Sequence, residues 1–77
     1  MRYIYPVELI QDVEGRYVAT SRDVPEAITD GDSAQTALLE MADALGAALA
    51  GYSLDCRALP APSEPNAGEF LVPVSAL

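Results

Sequence analysis

The side chains able to do chemistry in this 77-residue chain are carboxylates, serines, tyrosines and one thiol. Asp23, Glu26, Asp30 and Asp32 fall close together, and such a group can in principle divide acid and base work or hold a divalent cation. Asp30-Gly31-Asp32 opens like a calcium loop. However, Ala34 stands where the third ligand is needed and no glutamate closes the loop, so a turn leading into a helix cap is the better reading. Twelve acids in so short a chain also bring carboxylates together by chance. Without a concave pocket to drive two pKa values apart, a solvated surface is better supported than a catalytic pair. Cys56 lies in Ser53-Leu54-Asp55-Cys56-Arg57 with no histidine to activate it and reads as an inert loop cysteine. The serines lack both histidine and lysine, which closes the triad and the Ser-Lys variants. Tyr3, Tyr5 and Tyr17 could form a base-stacking platform on a sheet, but one without basic flanks; core aromatics are the commoner use.

Composition narrows the field further. No histidine or lysine is present, and 12 Asp+Glu against 4 Arg give a net charge of −8. The commonest general base, the Schiff-base amine and the lysine of a phosphate loop are thereby missing. Four arginines among twelve carboxylates cannot assemble a phosphate-neutralising surface. The expectation is a chain with no enzymatic activity, no cofactor, no metal and no nucleic acid bound by this segment, whose natural partner is basic. A domain of this size buries only about 60% of its unfolded surface, which leaves little room for a deep site. A lone cysteine forbids an internal disulfide, and Pro6 and Glu8 interrupt the N-terminal apolar run. Neither signal peptide nor membrane span is expected, and a cytoplasmic location is.

The elements that must position these residues follow from periodicity. Tyr3 to Ile10 sets Tyr3, Tyr5, Val7 and Leu9 on one face at a spacing of two, the pattern of a strand. Pro6 requires that strand to be an edge, or to direct position 6 away from its neighbour. Gln11-Asp12-Val13-Glu14-Gly15 makes a hairpin connection to a second strand, Arg16 to Ser21. Asp23-Val24-Pro25 turns the chain into a third strand, Glu26 to Asp30, centred on Ile28 and ended by Gly31. Asp32 or Ser33 then caps a helix, with Gln35 completing a capping-box-like start. Leu38, Met41, Ala42, Leu45, Ala48, Leu49 and Tyr52 recur at three and four, with Gln35, Glu40, Asp43 and Gly46 off the stripe. About eighteen residues, roughly 27 Å, form this helix, and Gly51 is its expected stop. Pro60, Pro62 and Pro65 mark an extended, weakly structured connector to a fourth strand, Glu69 to Val74, where Pro73 suits an edge or a strand end. The fold expected is α+β: a three-stranded antiparallel meander, one long amphipathic helix packed on it, and a fourth C-terminal strand. Residues 1–77 form one domain, and an apolar end at Leu77 without a polar tail suggests a longer natural protein.

This ordered pattern resembles the N-terminal domain of HicB-family antitoxins over nearly the whole chain. The likeness rests on Tyr3 to Leu9, Asp12-Val13-Glu14-Gly15-Arg16-Tyr17-Val18, Asp23-Val24-Pro25, Ile28-Thr29-Asp30-Gly31-Asp32-Ser33 before an alanine-rich helix, and Pro60-Ala61-Pro62-Ser63 after it. Glu26 and Ala27 depart from the family's usual glycine and frequent cysteine. The resemblance implies a partial RNase H-like fold without the catalytic carboxylates. It also implies an antitoxin that masks a small basic HicA-like mRNA interferase, association into dimers or tetramers, and operator binding and autoregulation through a C-terminal domain that this chain lacks. A −8 domain suits that role, because it can cover a toxin's phosphate-binding surface and steer the encounter. Asp12 and Glu14 on the hairpin, with Asp23, Glu26 and Asp30 around the third strand, are the expected partner contacts. Two alternatives remain at this level: an acidic homodimerisation module of a regulator without a toxin, and a metal-dependent RNase H-like nuclease.

Overall fold

The computed structural model describes residues 3–74, in the order β1 (Ile4–Gln11), β2 (Tyr17–Thr20), β3 (Ile28–Gly31), α1 (Ala34–Leu54) and β4 (Phe70–Pro73). The four strands form one antiparallel sheet ordered β3-β2-β1-β4. This is the α+β arrangement expected, with α1 packed on one face. β1 is central rather than an edge, and it serves its neighbours with different halves: Ile4 to Val7 pair with β4, Glu8 to Gln11 with β2. The Val74 N–H donates to the Tyr3 carbonyl at 3.0 Å. By alternation the main-chain groups of Tyr5 and Val7 also face β4, and those of position 6 face the other side. Pro6, which has no N–H to donate, therefore stands one step beyond the β2 ladder, where no donor is required.

The same alternation sorts the side chains. Tyr5, Val7, Ala19, Ala27 and Val72 point beneath α1 and are buried with its Ala37, Met41, Leu45, Leu49 and Tyr52. Each fully buried side chain of Leu or Val size contributes about 1.5–3 kcal/mol relative to leaving it in water. The buried stripe runs through Ala37 as its first member, so Leu38 and Ala42 become its half-buried flank. Gly46 is buried rather than off the stripe. By length and composition alone α1 could cross a membrane; the residues that make it apolar include those lying on the sheet.

Both helix ends differ in detail from the sequence reading. Ser33 is the N-cap, at φ −138° and ψ 163°, and its Oγ accepts from the Thr36 N–H at 3.1 Å. Thr36, not Gln35, is the residue three positions on, and its hydroxyl accepts from the Ser33 hydroxyl at 3.0 Å. Gly51 does not stop the helix, which runs on to Leu54. The stop is Cys56 at φ +56°, where its N–H reaches the Ser53 carbonyl and the Arg57 N–H reaches that of Tyr52. That is a Schellman closure with cysteine in the left-handed position glycine usually fills.

The connector from Arg57 to Glu69 has no regular structure, yet it is pinned. The Tyr5 hydroxyl donates to the Pro60 carbonyl at 2.5 Å, and Asp23 accepts from the Ser63 N–H at 2.9 Å and the Ser63 hydroxyl at 2.5 Å. Arg22 donates to the Glu64 carbonyl at 2.6 Å. A turn closed by the Glu69 N–H on the Asn66 carbonyl, with Gly68 at φ +87°, then delivers the chain into β4.

Candidate interaction surface

The five acidic residues expected to meet a partner divide between the two ends of the sheet. At one end Asp12 and Glu14 form the β1–β2 hairpin, closed by Gly15 at φ +85°. Asp12 is spent on that turn: its Oδ1 accepts from the Glu14 N–H at 2.9 Å and the Arg16 N–H at 3.0 Å. Glu14 is exposed. Asp30 stands beside them, exposed, and accepts from Arg16 Nε at 3.1 Å, while Arg16 Nη1 reaches Asp32. A cationic guanidinium thus sits between the two carboxylates of the Asp-Gly-Asp turn, and pairing with Asp30 first and Asp32 second raises the Arg16 pKa.

At the other end Asp23 holds Ser63, and Glu26 joins Tyr52 and Arg57. The Tyr52 hydroxyl donates to Glu26 Oε1 at 2.7 Å, Arg57 Nη2 donates to Oε2 at 3.3 Å, and the Arg57 guanidinium lies 3.8 Å from the Tyr52 ring centre. The Tyr52 hydrogen bond, more than Arg57, holds the Glu26 carboxyl below its ordinary 4.5; the same bond lifts the Tyr52 phenol. Glu26 lies in the turn that precedes β3, against the C-terminal end of α1, whereas Asp30 lies near the far end of β3 beside Arg16. The five residues do not form one patch.

Each described arginine is paired within the chain. Arg22 makes two bonds to Glu69, at 3.0 and 2.9 Å, which raise its own pKa and lower that of Glu69. Among the described residues no side chain pairs with Glu8, Glu14, Glu40, Asp43, Asp55 or Glu64, all of them exposed. No group of three metal-ligating side chains converges among the described residues. The tyrosines do not make an open platform either: Tyr3 and Tyr5 stack at 6.2 Å, and Tyr5 is buried under α1.

Sequence reasoning missed the sheet face opposite α1. Following the registers, Asp30, Val18 and Ile10 form one row across it, and Ile28, Thr20 and Glu8 the next. Leu71 lies beside Pro6, and Pro73 beside Ile4. Ile10, Ile28 and Leu71 are 56%, 62% and 58% exposed, and Val13 at the hairpin tip is fully exposed. The signal was available as the even-numbered apolar residues of β1, which a one-faced strand would have made polar. A second apolar feature is a groove of about 320 Å³ between α1 and β4, lined by Gln35, Leu38, Leu39, Ala42 and the four residues of β4.

The described surface is acidic, its described arginines are internally paired, and one sheet face is open and partly apolar, features that suit contact with other proteins. Residues 4–77 match the family model of the HicB_like antitoxin of bacterial toxin-antitoxin systems. Antitoxin HicB of Escherichia coli strain K12 is 36% identical over 70 residues, which are 91% of this chain and 51% of that protein. Antitoxins HicB 1 and HicB 2 of Photorhabdus laumondii are 38% and 40% identical, over 92% and 94% of this chain and 46% and 50% of their own lengths. The chain spans about half the length of these curated relatives, and it belongs to the HicB_like antitoxin family.

Proposed function

We propose that this chain is the toxin-neutralising part of a cytoplasmic antitoxin, and that it covers the cationic RNA-binding surface of a HicA-like mRNA interferase. The observation that carries this reading is the imbalance of accessible charge. All three described arginines are consumed by internal ion pairs, while six exposed carboxylates have no side-chain partner among the described residues. Contact is proposed at the open face of the sheet near the hairpin: Ile10, Val18 and Ile28 supply apolar area, with Glu8, Glu14 and Asp30 at its border. Asp12, Asp23 and Glu26 contribute to the negative field but are held by their own turn, by Ser63 and by Tyr52 with Arg57. Operator binding and autoregulation are assigned to a domain that longer family members carry. A nuclease reading has no support in the geometry, since Arg16 lies between Asp30 and Asp32.

The test is association with a basic HicA-like toxin, followed by stopped-flow at rising salt. The association rate should fall as screening shortens the field to about 8 Å at physiological ionic strength. Reversal of Glu14 and Asp30 to lysine should slow it further, and reversal of Asp23 and Glu26 should slow it less. Toxin-catalysed RNA cleavage should stop at one equivalent of the chain. No binding at low salt, or cleavage undiminished by excess chain, would overturn the proposal.

A further inference from the structure

β3 is an edge of the sheet, and the register shows which of its main-chain groups no strand pairs. The Asp12 N–H donates to the Arg16 carbonyl, so by alternation Val18 and Thr20 also turn their main-chain groups to β1, whereas Tyr17 and Ala19 turn theirs to β3. Gly31 and Thr29 are the partners of those two, which leaves Ile28 and Asp30 each directing an N–H and a carbonyl away from the sheet. No proline interrupts this edge. Ile28 is 62% exposed and the Asp30 side chain 54%. α1 flanks the edge with small residues. Its other flank, Leu38, Leu39 and Ala42, faces β4; on the β3 side Ala47, Ala48 and Gly51 line a hollow of about 260 Å³, bordered by Glu26 in the turn before β3 and by Asp55. Carboxylates thus stand at both ends of the edge, Asp30 and Asp32 at one and Glu26 and Asp55 at the other, while the neighbouring cations Arg16 and Arg57 are already paired within the chain.

We propose that the β3 edge receives an extended cationic segment of the toxin, which adds to the sheet as a fifth strand beside β3 and under the flank of α1. This rests on the toxin reading above and names how the toxin is held. Charge selects the occupant: a second copy of this chain brings carboxylates against carboxylates, whereas a basic segment meets them with opposite sign. An antiparallel strand satisfies both N–H groups and both carbonyls, so the main chain supplies affinity while the alternate side chains are read separately. Two of those side chains, spaced at two, lie on the open face. The one beside Asp30 is an arginine or lysine that competes with Arg16 for the carboxylate, and the one beside Ile28 is apolar. The side chain between them turns toward α1, where alanine and glycine leave it space.

Amide hydrogen exchange followed by NMR, on the chain alone and bound to a basic HicA-like toxin, tests this. The Ile28 and Asp30 amides should exchange at least about tenfold more slowly in the complex, a larger change than at Thr29 and Gly31, which β2 already holds. Ile28→Pro removes one outward donor and leaves the β2 ladder whole, and it should weaken binding about fivefold more than Ile28→Ala, which takes away the same apolar side chain. Circular dichroism checks the fold, and the exchange result, obtained on the unaltered chain, decides the matter even where the proline variant does not fold. A complex in which both amides exchange as in the free chain overturns the inference and leaves the antitoxin reading standing, as does equal affinity of folded Ile28→Pro and Ile28→Ala. Absence of any complex overturns both. Protection of the two amides in the free chain as its concentration rises would assign the edge to a second copy and also overturn the inference.

Discussion

Gly31 packs closely against the first turn of α1, and one added methyl there has a definite cost. A Cβ on Gly31 would stand 2.6 Å from the Ala37 nitrogen, 3.0 Å from its Cα and 3.1 Å from the Thr36 carbonyl carbon. All three are backbone atoms, so no side-chain rotation relieves the overlap. Comfortable contact begins near 3.5 Å, so the first turn of α1 must lift by about 1 Å, loosening Ala37 and Met41 against the strands. Overpacking of this kind costs about 1–3 kcal/mol, and restricting the unfolded chain returns about 0.4–1 kcal/mol. The net loss for Gly31→Ala is therefore about 1–2 kcal/mol, or a fall in Tm of about 5–15 °C in a domain of this size. Thermal unfolding followed by circular dichroism reads it directly. Gly51→Ala is the control: it adds the same methyl within α1 itself, with nothing within 4 Å, and should stabilise by about 0.5–1 kcal/mol. A midpoint that does not fall in Gly31→Ala, or two substitutions that shift it the same way, would refute the close-approach argument.

Ser33→Ala removes the acceptor of the Thr36 N–H and should cost about 0.5–2 kcal/mol in urea unfolding, whereas Asp32→Ala should not act through the cap. Cys56→Gly relieves a non-glycine residue at φ +56° and should raise the unfolding free energy measured in urea by about 0.5–1 kcal/mol. Glu26 and Glu69 are held below their ordinary 4.5, so they bind protons more weakly folded than unfolded. Their contribution is complete above that value and is lost as pH falls through it; Glu26→Gln and Glu69→Gln should each flatten the acid limb of the stability curve, and unchanged slopes would contradict the assignment. Residues 1–77 alone should not retard operator DNA in a mobility-shift assay at any salt, because the described arginines are internally paired.

Much of the architecture was legible because short-range chemistry decides it. Alternation set the faces of β1, Gly15 marked the hairpin, and the three-and-four spacing from Leu38 to Tyr52 announced a helix over a sheet. What escaped depends on contacts distant in sequence. Pro6 was compatible with an edge or an inward position, and only the divided pairing of β1 between β2 and β4 decides between them. The helix end could not be read at Gly51, since closure depends on Cys56 entering a conformation its side chain disfavours. The proline-rich connector looked loose because Asp23, Arg22 and Tyr5, which pin it, lie some forty to fifty-five positions away. For the interaction surface the sequence supplied the sign of the charge but not its location, because ion pairing with Arg16, Arg22 and Arg57 determines which carboxylates stay available.

The pairing of the first strand with the last has a consequence for synthesis. β1 leaves the ribosome before the strand that completes it, which follows after the 58 residues 12–69. At about 5–20 residues per second, the half of β1 that will receive β4 waits roughly 3–12 s without its neighbour. During that interval Tyr3, Tyr5, Val7 and Leu9 form an apolar strand with an open side, the kind of segment that nascent chains lose to aggregation. Pro6 and Glu8 interrupt it, one withholding a donor and the other adding a charge. The proline buried in the finished sheet is thus also a residue that guards the unfinished one.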